Sequence, residues 1–145
     1  MHNPFSHIVF CDFDGTITSQ ESLEGVFRRF APDQWKPIKD KMLALEMTIR
    51  EGVRKLLESI PSKRYPEILE FVREIPIRPG FEELLNFLDE QGVPFVIVSG
   101  GLRGMVDARL GEIARRVHKI FAVDVDTGGE FIQLKSDFEG DTELV

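Results

Sequence analysis

The sequence is poor in the residues that most often carry crosslinks and cofactors. Among 145 residues there are one cysteine, one tryptophan, one tyrosine and three histidines. With Cys11 alone no intrachain disulfide can form, and a structural zinc site lacks its thiolates. His2, His7 and His118 show no ligand spacing and read as structural. No stretch approaches the roughly 18 uninterrupted apolar residues of a membrane span. No basic stretch leads into an apolar segment near the amino end, so we expect no membrane partner and a cytoplasmic location. Positive charge is also short: 18 Lys and Arg against 25 Asp and Glu leave a formal net charge of −7. Nucleic-acid binding, which rests on clustered cations meeting phosphates, is therefore disfavoured. The short runs FRRF and ARRV read as solvated helix faces. Internal repeats and low-complexity tracts are missing as well.

Several catalytic signatures are missing too. A cysteine phosphatase would need an arginine six positions beyond Cys11, where Ile17 stands, so Cys11 reads as a small core residue. GGLRG lacks the spacing of a dinucleotide-binding turn, and no P-loop occurs. DVDTGGE imitates a calcium loop but has Gly128 and Lys135 where oxygen ligands are wanted.

What is present is an ordinary globular composition, 42% apolar and 30% charged, enough for one core with an insertion. HIVFCDFD reads as a buried strand ending near Asp12 and bounded by Gly15. Val93 to Val98 form a second apolar run of the kind found in parallel sheets covered on both faces. Between Gly80 and Gly92 the pattern places Phe81, Leu84, Leu85 and Leu88 on one helical face, with Gly92 as the stop. Apolar residues recur at Leu102, Met105, Val106, Leu110 and Ile113. HKIFAVDVD follows as a third strand, and the TGG at 127 to 129 turns into a hairpin with EFIQLK. This wiring predicts an α/β fold, a Rossmann-like parallel sheet with crossover helices.

From Ser19 to Ile75 there is no convincing strand. ESLEGVFRRF aligns Leu23, Val26, Phe27 and Phe30. TIREGVRKLLESI opens with a capping box, Thr48 with Glu51, and stripes Ile49, Val53, Leu56, Leu57 and Ile60 as a helix core. YPEILEFV adds another stripe. We expect a core of residues 1–18 and 77–145 with a helical cap, 19–76, inserted as a lid that excludes water.

Two polar clusters fall at the carboxyl ends of strands, where doubly wound sheets collect ligands. One is Asp12 with Asp14; the other is Ser99-Gly100-Gly101. In an extended strand end, residues two apart share a side, so the two aspartates would face one way with their charges repelling. A Mg²⁺ ion, held by one or two carboxylates with waters and a phosphate, answers that repulsion. One carboxylate can instead attack phosphorus while the other exchanges a proton with the leaving oxygen. Thr16, Ser99 and amides near Gly100 and Gly101 can hold phosphate oxygens. The same aspartates can also simply cap a turn or the next helix.

DFDGTIT after an apolar strand resembles the first motif, D-x-D-G-T, of the haloacid-dehalogenase-like phosphatases, and VIVSGG resembles their second. The helical insertion resembles the cap of the phosphoserine-phosphatase-like branch. The resemblance implies Asp12 as nucleophile and Mg²⁺ ligand, Asp14 as general acid/base and a ligand through its carbonyl, and Ser99 and Gly100 as phosphate holders. Within the branch, TITSQESLEGVFRRFAPDQW and TIREGVRKLLESIP are most similar to the methionine-salvage phosphatases acting on 2-hydroxy-3-keto-5-methylthiopentenyl-1-phosphate. Glu21 and Arg54 stand where phosphoserine phosphatases grip the substrate's ammonium and carboxylate, which implies a zwitterionic substrate instead. The family's third-motif lysine and fourth-motif acidic pair have no match: Lys135 lies in the hairpin, and Gly140-Asp141 follows no apolar strand. We therefore expect a chain incomplete at its carboxyl end. The expected partner is a small phosphorylated metabolite, with self-association into a homodimer through an open sheet edge. A non-catalytic phosphate- or metal-binding module is the alternative.

Overall fold

The computed structural model describes residues 6–135; His2 and the Gly140-Asp141 pair lie outside them. Strand β1 (Val9–Cys11) pairs in parallel with β2 (Phe95–Leu102), which pairs in parallel with β3 (Lys119–Val123). β2 is thus central, with Cys11 opposite Ile97 and Val98 opposite Phe121. A second, antiparallel pair joins β4 (Val125–Asp126) to β5 (Gln133–Leu134), the hairpin that the TGG turn predicts. Helices α5 (Phe81–Glu90) and α6 (Arg103–Leu110) provide the crossovers. The expected α/β architecture is therefore what the chain adopts.

Between β1 and α5 lie α1 (Ser22–Phe30), α2 (Pro32–Leu43), α3 (Ile49–Leu57) and α4 (Tyr65–Arg73). The chain enters and leaves this segment through an antiparallel bridge between Thr18 and Ile77. The capping box opens α3 as expected: the Glu51 amide donates to Thr48 Oγ1 at 3.1 Å and the Thr48 amide to Glu51 Oε2 at 3.4 Å.

Burial follows the stripes into two clusters. One gathers Val26, Phe27 and Phe30 of α1, Leu56 and Leu57 of α3, and Ile68 and Val72 of α4 with Leu102, Met105, Val123 and Ile132. The other gathers Phe13, Ile17, Phe81, Leu85 and Leu88 with Phe95, Ile97, Val106 and Leu110. α6 serves both, presenting Met105 to the first and Val106 and Leu110 to the second.

Four details correct the sequence reading. β2 does not stop at Val98 but runs irregularly through Ser99 and both glycines to Leu102. The pattern from Leu102 to Ile113 is not one helix, because Gly111, at φ +56°, ends α6 and a 3₁₀ turn follows. Leu84 is 43% exposed and Ile49 is 73% exposed. Leu84 sits just off the Phe81, Leu85 and Leu88 face, and Ile49 occupies the first turn of α3, beyond the reach of the cluster.

The hairpin docks on the inserted helices. Pro61 and Phe131 form an antiparallel bridge, the Ser62 amide donates to Glu130 O at 2.9 Å and the Ile132 amide to Ile60 O at 3.0 Å. α4 meets α6 where the ring of Tyr65 crosses Gly104, and a Cβ on Gly104 would overlap the Tyr65 hydroxyl. Gly104→Ala should therefore lose about 1–2 kcal/mol net, overpacking outweighing the gain in helix propensity. Denaturant unfolding would measure the loss, and adding Tyr65→Phe should recover much of it.

Candidate active site

The site begins with one carbonyl. Beyond β1, Phe13 turns its ring into the second cluster, with Ile17 and Phe81, and its carbonyl oxygen receives the Ile17 amide at 2.9 Å and the Thr16 and Thr18 amides at 3.2 Å. Closing so tight a turn requires Gly15 at φ +75°. A side chain at Gly15 would also overlap the Glu21 carboxylate. Buried Thr18 accepts the Gly15 amide at 2.9 Å and donates to Gln20 O at 2.7 Å. From the far side of the neck, Arg78 donates to Thr16 O at 2.8 Å and to Gly15 O at 3.0 Å.

This loop disposes the two aspartates differently. Asp12 is exposed, and its carboxylate accepts the Phe13 amide at 2.9 Å and the Thr16 hydroxyl at 3.4 Å. Asp14 closes onto the amino end of α1, where its carboxylate accepts the Ser22 amide, the Ser22 hydroxyl and, at 3.1 Å, the Leu23 amide. Asp14 thus meets the amino end of α1, where a helix offers unpaired amides, while the Asp12 carboxylate is bonded within its own loop. Glu21, at the start of α1, has its carboxyl raised above the usual range by partial burial, then by the charge of Asp14 and a hydrogen bond shared with it; Asp12 and Glu24 add to this. Burial, and then the charge of Asp12, raises the Cys11 thiol. That direction favours the thiol over the thiolate.

Because Cys11 stands opposite Ile97, the end of β1 abuts the Ser99-Gly100-Gly101 stretch of β2. Ser99 is buried and its hydroxyl accepts the Gly101 amide at 3.0 Å. Asp14, Ser22, Ser99 and Gly101 line one cavity of about 10 Å³, room for at most a single water. Gly100 is exposed and lines a larger cavity beside Arg54. Thr16 lies on the opposite side of the loop, lining a depression with Cys11 and Arg78. Arg54 pairs with Glu58 at 3.3 Å. So the structure brings Asp12 to Thr16, Asp14 to Ser99 and Glu21, and Arg54 to Gly100.

The donor set is of hard oxygens. Among the described residues no group of three His, Cys, Asp or Glu side chains is arranged to hold a metal ion. Mg²⁺ fits such a site, since it keeps several waters and asks for only one or two carboxylates; an all-protein cage does not.

The model of the haloacid dehalogenase-like hydrolases matches residues 9–141. The chain belongs to that family. Among curated relatives, the 2-hydroxy-3-keto-5-methylthiopentenyl-1-phosphate phosphatase of Microcystis aeruginosa is 49% identical over 97% of this chain and 68% of its own length. The enzyme of that name from Bacillus mycoides is 38% identical over 88% of this chain, which spans only 58% of the relative. Among solved structures, the phosphoserine phosphatase from T. onnurineus superposes with a TM-score of 0.69 at 21% identity, over 93% of this chain and 68% of that one. A haloacid dehalogenase-like hydrolase from Salmonella enterica gives 0.69 at 18% identity, over 90% of this chain and 44% of that one. These two likenesses are of fold. The chain is thus a haloacid dehalogenase-like hydrolase, homologous to curated phosphatases.

Sequence reasoning missed Ser22 and Arg78. Ser22 takes its place only when α1 folds back onto Asp14, and Arg78 reaches the loop from 62 positions away; neither carries a local signal. Ser22→Ala would strip a 2% exposed hydroxyl from the Asp14 carboxylate. It should lower stability by about 1–3 kcal/mol, read as a shift of the denaturation midpoint with unchanged slope.

Proposed function

We propose that this hydrolase cleaves a small phosphate monoester through an aspartyl-phosphate on Asp12. What carries the reading is the position of Asp12: an exposed carboxylate at the carboxyl end of β1, one strand away from the Ser99-Gly100-Gly101 stretch. An Asp12 oxygen attacks phosphorus, the ester oxygen departs, and a proton passes to it from Asp14. Water then attacks the phosphorus, gives its proton back to Asp14, and releases phosphate from Asp12. As folded, the Asp14 carboxylate accepts hydrogen bonds from the Ser22 amide, the Ser22 hydroxyl and the Leu23 amide.

Mg²⁺ would be held by the Asp12 carboxylate and the Asp14 carbonyl, and would supply charge to the phosphoryl oxygens. The Gly100 amide would orient the phosphate, with Ser99 fixing the turn by accepting the Gly101 amide and Thr16 steadying Asp12. The helical segment 19–76 acts as the cap over residues 1–18 and 77–145. Of the two substrates that the sequence suggests, we favour 2-hydroxy-3-keto-5-methylthiopentenyl-1-phosphate. Relatives at 49% and 38% identity carry that name. Arg54 is meanwhile engaged by Glu58, and Glu21 by Asp14, so neither is set aside for a zwitterion.

Phosphate release by this chain from that ester, from phosphoserine and from an aryl phosphate should require Mg²⁺, stop on chelation and vanish in Asp12→Asn. Release persisting in Asp12→Asn would refute the assignment. Asp14→Asn should slow alkyl esters at least about a hundredfold and aryl esters much less; equal slowing of both would remove Asp14 from leaving-group protonation.

A further inference from the structure

Two consecutive peptide units of the loop after β1 are held at both ends. Their N–H groups, those of Thr16 and Ile17, donate to Phe13 O at 3.2 and 2.9 Å. A trans peptide turns its carbonyl the opposite way, and there one guanidinium takes both carbonyls. Arg78 Nη2 donates to Gly15 O at 3.0 Å and Arg78 Nε to Thr16 O at 2.8 Å. The planes of both units are therefore set by a single acceptor on one side and a single donor fork on the other.

Arg78 projects from a fixed base. Its amide donates to Ile17 O at 2.7 Å and its carbonyl accepts the Phe81 amide at 3.3 Å. Pro79 follows it and restricts its backbone to extended conformations. The fork matters as much as the charge: guanidinium is planar and spans two acceptors at once, whereas an ammonium on a flexible stem is a point charge.

Both aspartates depend on what this fork holds. Asp14 directly precedes Gly15, whose φ of +75° the clamp preserves, and the Asp12 carboxylate accepts the Thr16 hydroxyl at 3.4 Å. The guanidinium lies in the depression that Arg78 lines with Cys11 and Thr16, so it acts through the loop. We propose that Arg78 is the positioning residue of the nucleophile, holding the loop from Asp12 to Thr16 in the shape from which the Asp12 carboxylate attacks phosphorus. The proposal rests on the phosphatase reading above. It also anchors the nucleophile where the inserted helices rejoin the core, since Arg78 follows Ile77, the bridge partner of Thr18.

Arg78→Ala and Arg78→Lys in the full chain test it, through amide hydrogen exchange and Mg²⁺-dependent phosphate release. The side chain is exposed, so its loss leaves both clusters intact. Exchange at the Thr16 and Ile17 amides should quicken about tenfold in Arg78→Ala. Its kcat should fall about ten- to a hundredfold with KM unchanged, as expected when reacting atoms are misplaced but binding is kept. Arg78→Lys, with the charge but without the fork, should retain most of both effects. Added methylguanidinium should restore kcat to Arg78→Ala, and methylammonium at the same concentration should not. Unchanged exchange would overturn the clamp. Faster exchange with unaltered kcat, a loss confined to KM, or equal rescue by methylammonium would overturn the positioning role; all of these leave the phosphatase reading standing. No release by the unsubstituted chain would overturn both.

Discussion

The amino end of α1 closes on the carboxylate of Asp14, and the placing of the site depends on that contact. A helix begins with unpaired amides and a partial positive charge. Asp14 supplies an anion to them one residue after Phe13 has been buried, so the end of β1 and the first inserted helix are locked at a set separation. Gly15 has no side chain because Glu21 occupies the space above it. Arg78 grips the same loop from the returning strand of the neck. With the loop held from both sides, Asp12 is left outward-facing.

Two apolar clusters meet at this level. α6 follows the glycine turn of β2 directly and packs into both, so the Ser99 to Gly101 stretch is fixed relative to the sheet and to the inserted helices at once. Arg103, in its first turn, donates to Asp124 at 2.9 Å and to the carbonyl of Ile120 at 2.8 Å, tying the end of β3 to the same point. The hairpin then reaches over to α3. Gly100 consequently faces a space whose walls belong to three separate parts of the chain.

The wiring was legible because parallel strands read as short continuous apolar runs and helices as stripes, and glycine marks the end of several of them. The two strand-end clusters were legible for the same reason: polar residues interrupt apolar runs at the end where a parallel sheet collects ligands. α2 was harder, because it buries no residue and carries Pro37 within it, with Trp35 and Ile38 packed only partly buried against the cluster. The different surroundings of Asp12 and Asp14 were not legible from their spacing. Spacing along a strand treats them alike, and what separates them is a helix start eight positions away. Ile49 obeys its stripe in sequence yet lies open, since periodicity gives a face of a helix and not how far the neighbouring cluster extends.

The neck between Thr18 and Ile77 also bears on the order in which the chain can form. Among the described residues β1 pairs with β2 alone, on the far side of the inserted helices. Closing so long a loop costs entropy that grows with its length, before any strand contact repays it. The Ser19 amide, however, meets the carbonyl of Pro76 at 3.0 Å, across 57 positions. Helices form in about a microsecond, and once α1 to α4 have packed, the ends of the insertion lie side by side. The remaining search is then a short one, from a pre-closed neck to the sheet. An insertion that lengthens the chain between two neighbouring strands in this way shortens the distance they have to find each other across.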